Sequence, residues 1–283
     1  MEANIKNIFL KKIKKYSETK NFKFSIIRSG RNNKVILAST PKVKYIIKYY
    51  TKRNFFNSHA REKLFLNILK KKNIKNVPKY LFSINKNISV ISYLKGKLVN
   101  KINNFKIIQT IKFINKINKN NKEDSISIPK ASDACFSIKE HVDLVEKKIK
   151  KLQLIVNKKY KNSKIFRFLK HQVIPKLRYE KKYLKQNYIQ LYNQKLKQDE
   201  IIISPSDLGF HNMLENKKIF FIDFEYAGID DPAKLMGDFI CQPDLQLNKK
   251  QIQFFIKNFH LSKKNLKKVK NRSKILLNMH RLK

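Results

Sequence analysis

Near the start of the chain, short runs of Ile, Val, Phe and Tyr alternate with polar breaks, a pattern of strands and turns. Phe24–Ile27 and Lys34–Ser39 bracket the polar turn Ser29-Gly30-Arg31-Asn32-Asn33, and a third run, Lys44–Tyr49, follows Pro41. The spacing then lengthens. Ser58–Lys71 predicts a helix, with Ala60, Leu64, Leu66 and Leu69 suited to packing on the sheet. Lys79–Ile84 and Ile88–Tyr93 read as a further strand pair, closed by Lys95-Gly96-Lys97. Ahead of all these, residues 1–20 mix Lys with Ile, Phe and Leu, which predicts a basic amphipathic helix solvated on the surface rather than anchored in a membrane.

Beyond Gly96 the pattern is helical: Phe105–Asn118, Ile138–Val156, a region over 164–196 interrupted at Pro175, and segments at Ala233–Phe239, Lys249–Phe259 and Lys267–His280. Two short apolar runs, Ile201–Ile203 and Ile219–Asp223, are expected to form a strand pair around a polar loop. The reading is an α+β chain of two lobes: a β-rich lobe over residues 1–95 with a leading helix, and a larger, mainly helical lobe over 96–283. No internal repeat is evident, and the last helix reaches Lys283 without a stop signal, which leaves open whether a packing element comes after it.

Composition narrows the choices. Hydrophobic residues make up 42% of the 283, with 20 Phe and 12 Tyr, enough for a substantial core; 5 Gly and 7 Pro exclude a collagen-like polymer. The formal charge of +45 would attract nucleic acid, anionic lipid or anionic metabolites. The excess is nearly all lysine, however, and accompanies abundant Asn, Ile, Phe and Tyr along the whole length, as a codon bias would produce. No specific nucleic-acid partner is therefore expected. Two cysteines, Cys135 and Cys241, cannot make a disulfide scaffold or a multi-thiolate metal site. With no apolar run long enough for secretion or membrane crossing, a cytoplasmic location is expected, which leaves open a weak association with an anionic membrane face.

Chemistry concentrates in residues 201–225, IIISPSDLGFHNML followed shortly by IFFIDFE. Asp207, Asn212 and Asp223 lie in or beside the loop between the two apolar runs, and oxygen ligands in such a place suit a hard divalent ion and a polyphosphate. The Asp207…Asn212 spacing resembles the Asp-x-x-x-x-Asn catalytic loop of the aminoglycoside phosphotransferase and choline kinase superfamily, relatives of the protein kinases. The resemblance spans roughly residues 22–260 and implies a bilobal protein-kinase-like fold. It implies Asp207 as the catalytic residue, with Asn212 and Asp223 as ligands of Mg²⁺. It also implies that Lys48, held by Glu62, grips the phosphates of ATP, with GTP as the alternative. The turn containing Ser29, Gly30 and Asn33 would lie over those phosphates, and Tyr93 would stand where the lobes connect and adenine binds. Residues 230–238, beginning Asp230-Asp231-Pro232, are similar to the supporting tail of that motif. One triplet departs from the family: Pro205-Ser206-Asp207 stands where relatives have His-Gly-Asp, and Pro205 is expected to supply the missing rigidity.

The implied activity moves a γ-phosphoryl group to a hydroxyl of a small acceptor: sugar-like, an amino alcohol or a cell-envelope precursor. A kinase-shaped nucleotide-binding protein without transfer activity and a basic nucleic-acid-binding module are the rivals. Glu225 reads either as a ligand-side group or as a strand end, and His211 as loop packing. Asp231 and Asp238 read as loop braces, and His59 as a surface or capping residue. Cys135 has no nearby base and is not expected to be a nucleophile.

Overall fold

A computed structural model describes residues 3–19, 21–29, 33–50, 57–119, 128–261 and 266–283, of Arg28 and Ser29 the backbone only. These residues divide into two compact units, the first comprising Met1–Asn100 with Phe210–Ala227 and the second Lys101–Gly209 with Gly228–Lys283.

The first unit is built on a five-stranded antiparallel sheet. Its strands are β1 (Lys23–Ser29), β2 (Asn33–Ser39), β3 (Lys44–Tyr50), β4 (Tyr80–Asn85) and β5 (Ile88–Ser92), in the order β1-β2-β3-β5-β4. The register puts Ile36 opposite Ile47 and Val90 opposite Ile47, so one face is aliphatic. Helix α1 (Ala3–Ile13) covers it, burying Ile5, Phe9 and Ile13 against Ile36, Ala38, Tyr45 and Ile47. This corrects the expectation of a solvated surface helix: its lysines are solvated, but its apolar stripe is core.

The opposite face carries Lys48, with Val35 and Ser89 as its cross-strand neighbours, and Tyr50, opposite Asn33. Helix α2 (Ser58–Lys71), capped by Asn57 Oδ1 accepting from the Ala60 N–H at 3.0 Å, packs on this side. Its buried stripe runs through Ser58, Glu62, Phe65, Leu66 and Leu69; Ala60 and Leu64, expected to pack inward, are exposed. A carboxylate therefore occupies a core position of the stripe, which no helix tolerates without a counter-charge.

A three-stranded sheet completes the first unit. The short strand β6 (Lys97–Leu98) precedes β7 (Ile202–Ser204), which belongs to the second unit; β8 (Met213–Asn216) and β9 (Lys218–Phe221) come next, and the sheet runs β6-β8-β9. Gly96 is required where β6 meets β8, because a Cβ there would stand 2.9 Å from Leu214 Cβ. The run Ile201–Ile203 does not pair with Ile219–Asp223 as expected. β9 pairs with β8, formed inside the supposed polar loop, whereas β7 pairs with β10 (Gly228–Asp230).

In the second unit, α3 (Asn104–Asn118) ends on a side-chain amide that serves β7 as a substitute strand. Asn118 Nδ2 donates to the Ile203 carbonyl and Asn118 Oδ1 accepts from the Ile203 N–H, both at 2.9 Å. The other helices are α4 (Ile138–Lys159), α5 (Lys164–Phe168), α6 (Ile174–Asn187), α7 (Ile189–Tyr192), α8 (Pro232–Ile240), α9 (Lys249–Asn258) and α10 (Leu266–Leu282). Residues of α4, α6, α8 and α10 share one core, including Val142, Leu177, Ala233 and Leu276. Pro175 does not interrupt the helical path. A π-turn at Leu169–Val173 precedes it, with the Ile174 N–H reaching back to the Leu169 carbonyl, and the wider turn accommodates the proline ring and its missing donor. Among the described residues no helix is long and apolar enough to cross a membrane.

Behind β10 lies a buried ionic layer. Asp231 caps α8 through the Ala233 N–H and also meets His141 Nε2 at 3.2 Å and Arg272 Nε at 3.0 Å. Lys234 joins Asp230 (2.8 Å) and Asp238 (3.1 Å), and burial pushes the Asp230 carboxyl up to about 6. Both Asp231 and Asp238 thus brace structure, as expected. His280 inserts its ring against Gly237, where any Cβ would come within 2.2 Å of it, and burial holds its imidazole below the ordinary value of 6.5. A histidine kept neutral binds fewer protons folded than unfolded, so stability falls as pH drops through and below that ordinary value. Its neighbours Asp238, His141 and Lys283 persist in a His280→Asn variant, which isolates the imidazole. That variant is expected to lose less stability than the parent between about pH 7 and about pH 5.5, measured by urea unfolding at each pH; equal slopes would remove this role.

Candidate active site

The sheet face under α2 gathers the charged groups of the first unit. Lys48 Nζ lies 2.7 Å from Glu62 Oε2 and 2.5 Å from Asp223 Oδ1. Burial alone would lower the Lys48 ammonium, but Glu62 and Asp223 outweigh it and hold the group well above its usual range. Tyr50 OH donates to Glu62 Oε2 at 2.5 Å and shares a hydrogen bond with Ser89 Oγ at 2.9 Å. The second oxygen, Glu62 Oε1, accepts from the Phe224 N–H at 3.2 Å. Glu62 thus ties the sheet, through Lys48 and Tyr50, to the segment that carries Asp223.

Local backbone explains how Asp223 and Asn212 come close. Met213 faces Phe221 in the β8–β9 ladder, and one step further the Ile222 N–H donates to the Asn212 carbonyl at 3.0 Å. The residue after Ile222 is Asp223, whose φ of 67° lies in the left-handed region that aspartate tolerates better than most side chains. Its side chain remains 22% exposed, while Asn212 is buried. Two residues on, Glu225 is buried and accepts from Asn33 Nδ2 at 2.7 Å, and burial raises its carboxyl above the usual range.

The remaining expected residues are placed less closely. Ser29 ends β1 opposite Lys34, and Gly30 lies outside the described residues. Tyr93 follows β5 at the end remote from Ser89, the partner of Lys48, and has Lys44 Nζ over its ring at 5.5 Å. His59 is not a surface residue: it is buried in α2, meets Ser83 Oγ at 2.8 Å and packs edge-on to Tyr50. Cys135 is buried, and burial pushes its thiol far up, against any nucleophilic role.

Asp207 belongs to the second unit, directly after β7, and is exposed. Ser206 has φ 65°, and the Asp207 N–H donates to the Pro205 carbonyl at 2.9 Å, closing a left-handed γ-turn. A non-glycine residue there is strained, and two hydrogen bonds hold it. The Ser206 N–H donates to Ser204 Oγ at 3.0 Å, and Ser206 Oγ donates to the Ser132 carbonyl at 3.3 Å. Reasoning from the sequence credits Pro205 with the rigidity and misses both serines, as it misses Tyr50. For Tyr50 a signal exists, since Lys48 and Tyr50 are two apart on one strand and share a face.

Removing one member of a buried ion pair leaves the other uncompensated. Glu62→Gln is therefore expected to cost about 3 kcal/mol in urea unfolding. In a Lys48→Met background the same change should cost at least about 1 kcal/mol less. Additive costs would mean that the two groups do not stabilise each other.

No family model matches this sequence, and no curated protein is significantly similar to it. Solved structures are similar along nearly the whole chain. An ADP-bound aminoglycoside phosphotransferase, APH(2'')-Ib, is 15% identical with a TM-score of 0.64, covering 96% of this chain and 86% of that one. Choline kinase from Cryptosporidium parvum Iowa II is 14% identical with a TM-score of 0.63, covering 98% and 86%. Choline kinase LicA from Streptococcus pneumoniae is 17% identical with a TM-score of 0.59, covering 98% and 91%. This chain has the bilobal protein-kinase-like fold of the aminoglycoside phosphotransferases and choline kinases.

Proposed function

We propose that this protein transfers the γ-phosphoryl group of ATP, or of GTP, to a hydroxyl of a small molecule. The observation that carries the reading is Lys48 Nζ bridging Glu62 and Asp223, a buried cation fixed in direction beside a partly exposed carboxylate. Phosphoryl transfer asks little covalent chemistry of a protein; it needs fixed positive charge and alignment.

In this reading Lys48, oriented by Glu62 and Tyr50, binds the α- and β-phosphates. Asp223 and Asn212 offer oxygen donors, the kind a hard cation takes. Among the described residues no group of three or more His, Cys, Asp or Glu could hold an ion, and Mg²⁺ ordinarily draws only one or two carboxylates from a protein, the rest of its ligands being phosphates and water. Asp223 and Asn212 would hold Mg²⁺, which when bound neutralises phosphate charge. Asn33 and the turn before it would lie over the phosphates, and Tyr93 near the base. Asp207, set by its γ-turn, orients the acceptor hydroxyl and takes its proton.

The acceptor is sugar-like, an amino alcohol or a cell-envelope precursor, and 65 Lys and Arg against 20 acidic residues favour an anionic one. The similar structures include an aminoglycoside phosphotransferase in complex with gentamicin and kinases of choline and ethanolamine, which supports a small acceptor. The replacement of His-Gly by Pro205-Ser206 supports a second reading, a nucleotide-binding protein without transfer.

The test is γ-phosphate transfer from labelled ATP across a panel of hydroxyl acceptors, with Asp207→Asn and Asp223→Asn alongside. Each variant is expected to lower turnover at least about 100-fold with its circular dichroism unchanged. Asp207→Asn should keep nucleotide affinity, and Asp223→Asn should lose its dependence on Mg²⁺. Turnover unchanged in both variants would reject the site, and binding without turnover on any acceptor would favour the second reading.

A further inference from the structure

The helical segment from Lys164 to Tyr192 leaves several large apolar side chains exposed, as does the last part of α4 just before it, at Leu152, Leu154 and Ile155. Ile165, Phe168, Tyr179, Tyr183, Ile189 and Leu191 are 46, 53, 61, 40, 71 and 46% exposed. Tyr179 and Tyr183 stack with centroids 6.3 Å apart on the side of α6 away from its buried residues Leu177, Glu180 and Leu184. Eight side chains between Lys164 and Tyr192 are Lys or Arg, and one is acidic. That one, Glu180, is buried and paired with Lys176 at 2.7 Å, so every acidic group of the segment is withdrawn from solvent. Beside these helices a groove of about 400 Å³ is lined by Gln153, Asn157, Lys170, His171 and Arg178, among others.

We propose that the Lys164–Tyr192 segment docks on an anionic lipid bilayer, exposed aliphatic and tyrosine side chains entering the interface and basic groups meeting lipid phosphates. The chemistry selects this occupant over two others. A second copy would bring the same excess of positive charge against itself, only part of it offset by Glu180 on Lys176 and Glu146 on Lys181. Nucleic acid would reward arginine and stacking rings, whereas Ile165, Ile189 and Leu191 gain nothing from bases or phosphates. An interface of lipid rewards all three residue classes together: apolar side chains for the acyl boundary, tyrosine for the headgroup level, lysine for anionic phosphate. The groove has the size and donors for a phosphate headgroup. The inference stands on this segment alone and does not require the transferase reading.

A net charge of +45 makes any anionic vesicle sticky, so the test must separate insertion from adhesion. The chain has no tryptophan, which makes Phe168→Trp in the full protein a single reporter at an exposed site. With vesicles of phosphatidylcholine and phosphatidylglycerol, its emission should move to the blue and be quenched by brominated acyl chains. The effect should persist in about 0.5 M salt, where simple charge attraction is screened. Ile26→Trp, at a side chain 58% exposed on β1, should show neither change. Replacing Phe168, Ile189 and Leu191 together by Ser should weaken partitioning about tenfold while leaving net charge untouched. An unshifted reporter, or binding erased entirely by salt, would overturn the proposal. So would a dimer of the parent chain that the Ser variant dissociates, or high-salt quenching of the reporter by an oligonucleotide in place of vesicles.

Discussion

An ammonium group on the buried face of a sheet is the constraint around which the first unit is arranged. Lys48 is 4% exposed, and its charge can stay only if carboxylates surround it. One comes from the buried stripe of α2, the other from the segment after β9, far along the chain. The sheet, the helix and the β8–β9 hairpin are therefore coupled by electrostatics rather than by shape alone. Tyr50, itself bonded to Ser89, and the Phe224 N–H between them take both oxygens of Glu62, so that carboxylate is satisfied without solvent.

A similar economy governs the strand that leads to Asp207. β7 is three residues long, with β10 along one edge and the Asn118 amide on the Ile203 backbone. β10 in turn is clamped by residues 129–131, the Ile229 N–H donating to the Pro129 carbonyl at 3.0 Å and the Ala131 N–H to the Ile229 carbonyl at 2.9 Å. Gly228 is required there, since a Cβ would lie 2.4 Å from both the Ala131 nitrogen and the Pro129 oxygen. Short strands made rigid by their surroundings, rather than by their own length, bring the chain to a strained turn at Ser206.

Much of this is legible in the residues alone. The helix over Ser58–Lys71 emerges with the expected bounds, although its buried face is not the expected one: Leu66 and Leu69 are inside, Ala60 and Leu64 outside. The pairing of Lys48 with Glu62 is likewise readable, one on a strand and the other on the next helix. Strand partners are not. Ile201–Ile203 and Ile219–Asp223 are apolar runs without a period, and such runs say that a strand is buried without saying against what. The partners of β7 are supplied by Gly228–Asp230 and by a helical asparagine, neither of which alternates. His59 escapes for a related reason: a polar residue in a helix's first turn looks like a surface group until its bond to Ser83 and its packing on Tyr50 are known.

The π-turn ahead of Pro175 fixes more than a local bend. Each residue of a helix rotates the chain by about 100°, and the wide turn at Leu169–Val173 absorbs one extra residue, so that rotation is not passed on to α6. Deleting one residue there would close the wide turn to an ordinary one, leaving Leu177 and Leu184 in their core and Tyr179 and Tyr183 at their present outlook. What the extra residue secures is room for the Pro175 ring: a chain one residue shorter there would have to give up the proline as well, whereas an insertion inside α6 would have no such slack and would turn its buried stripe outward.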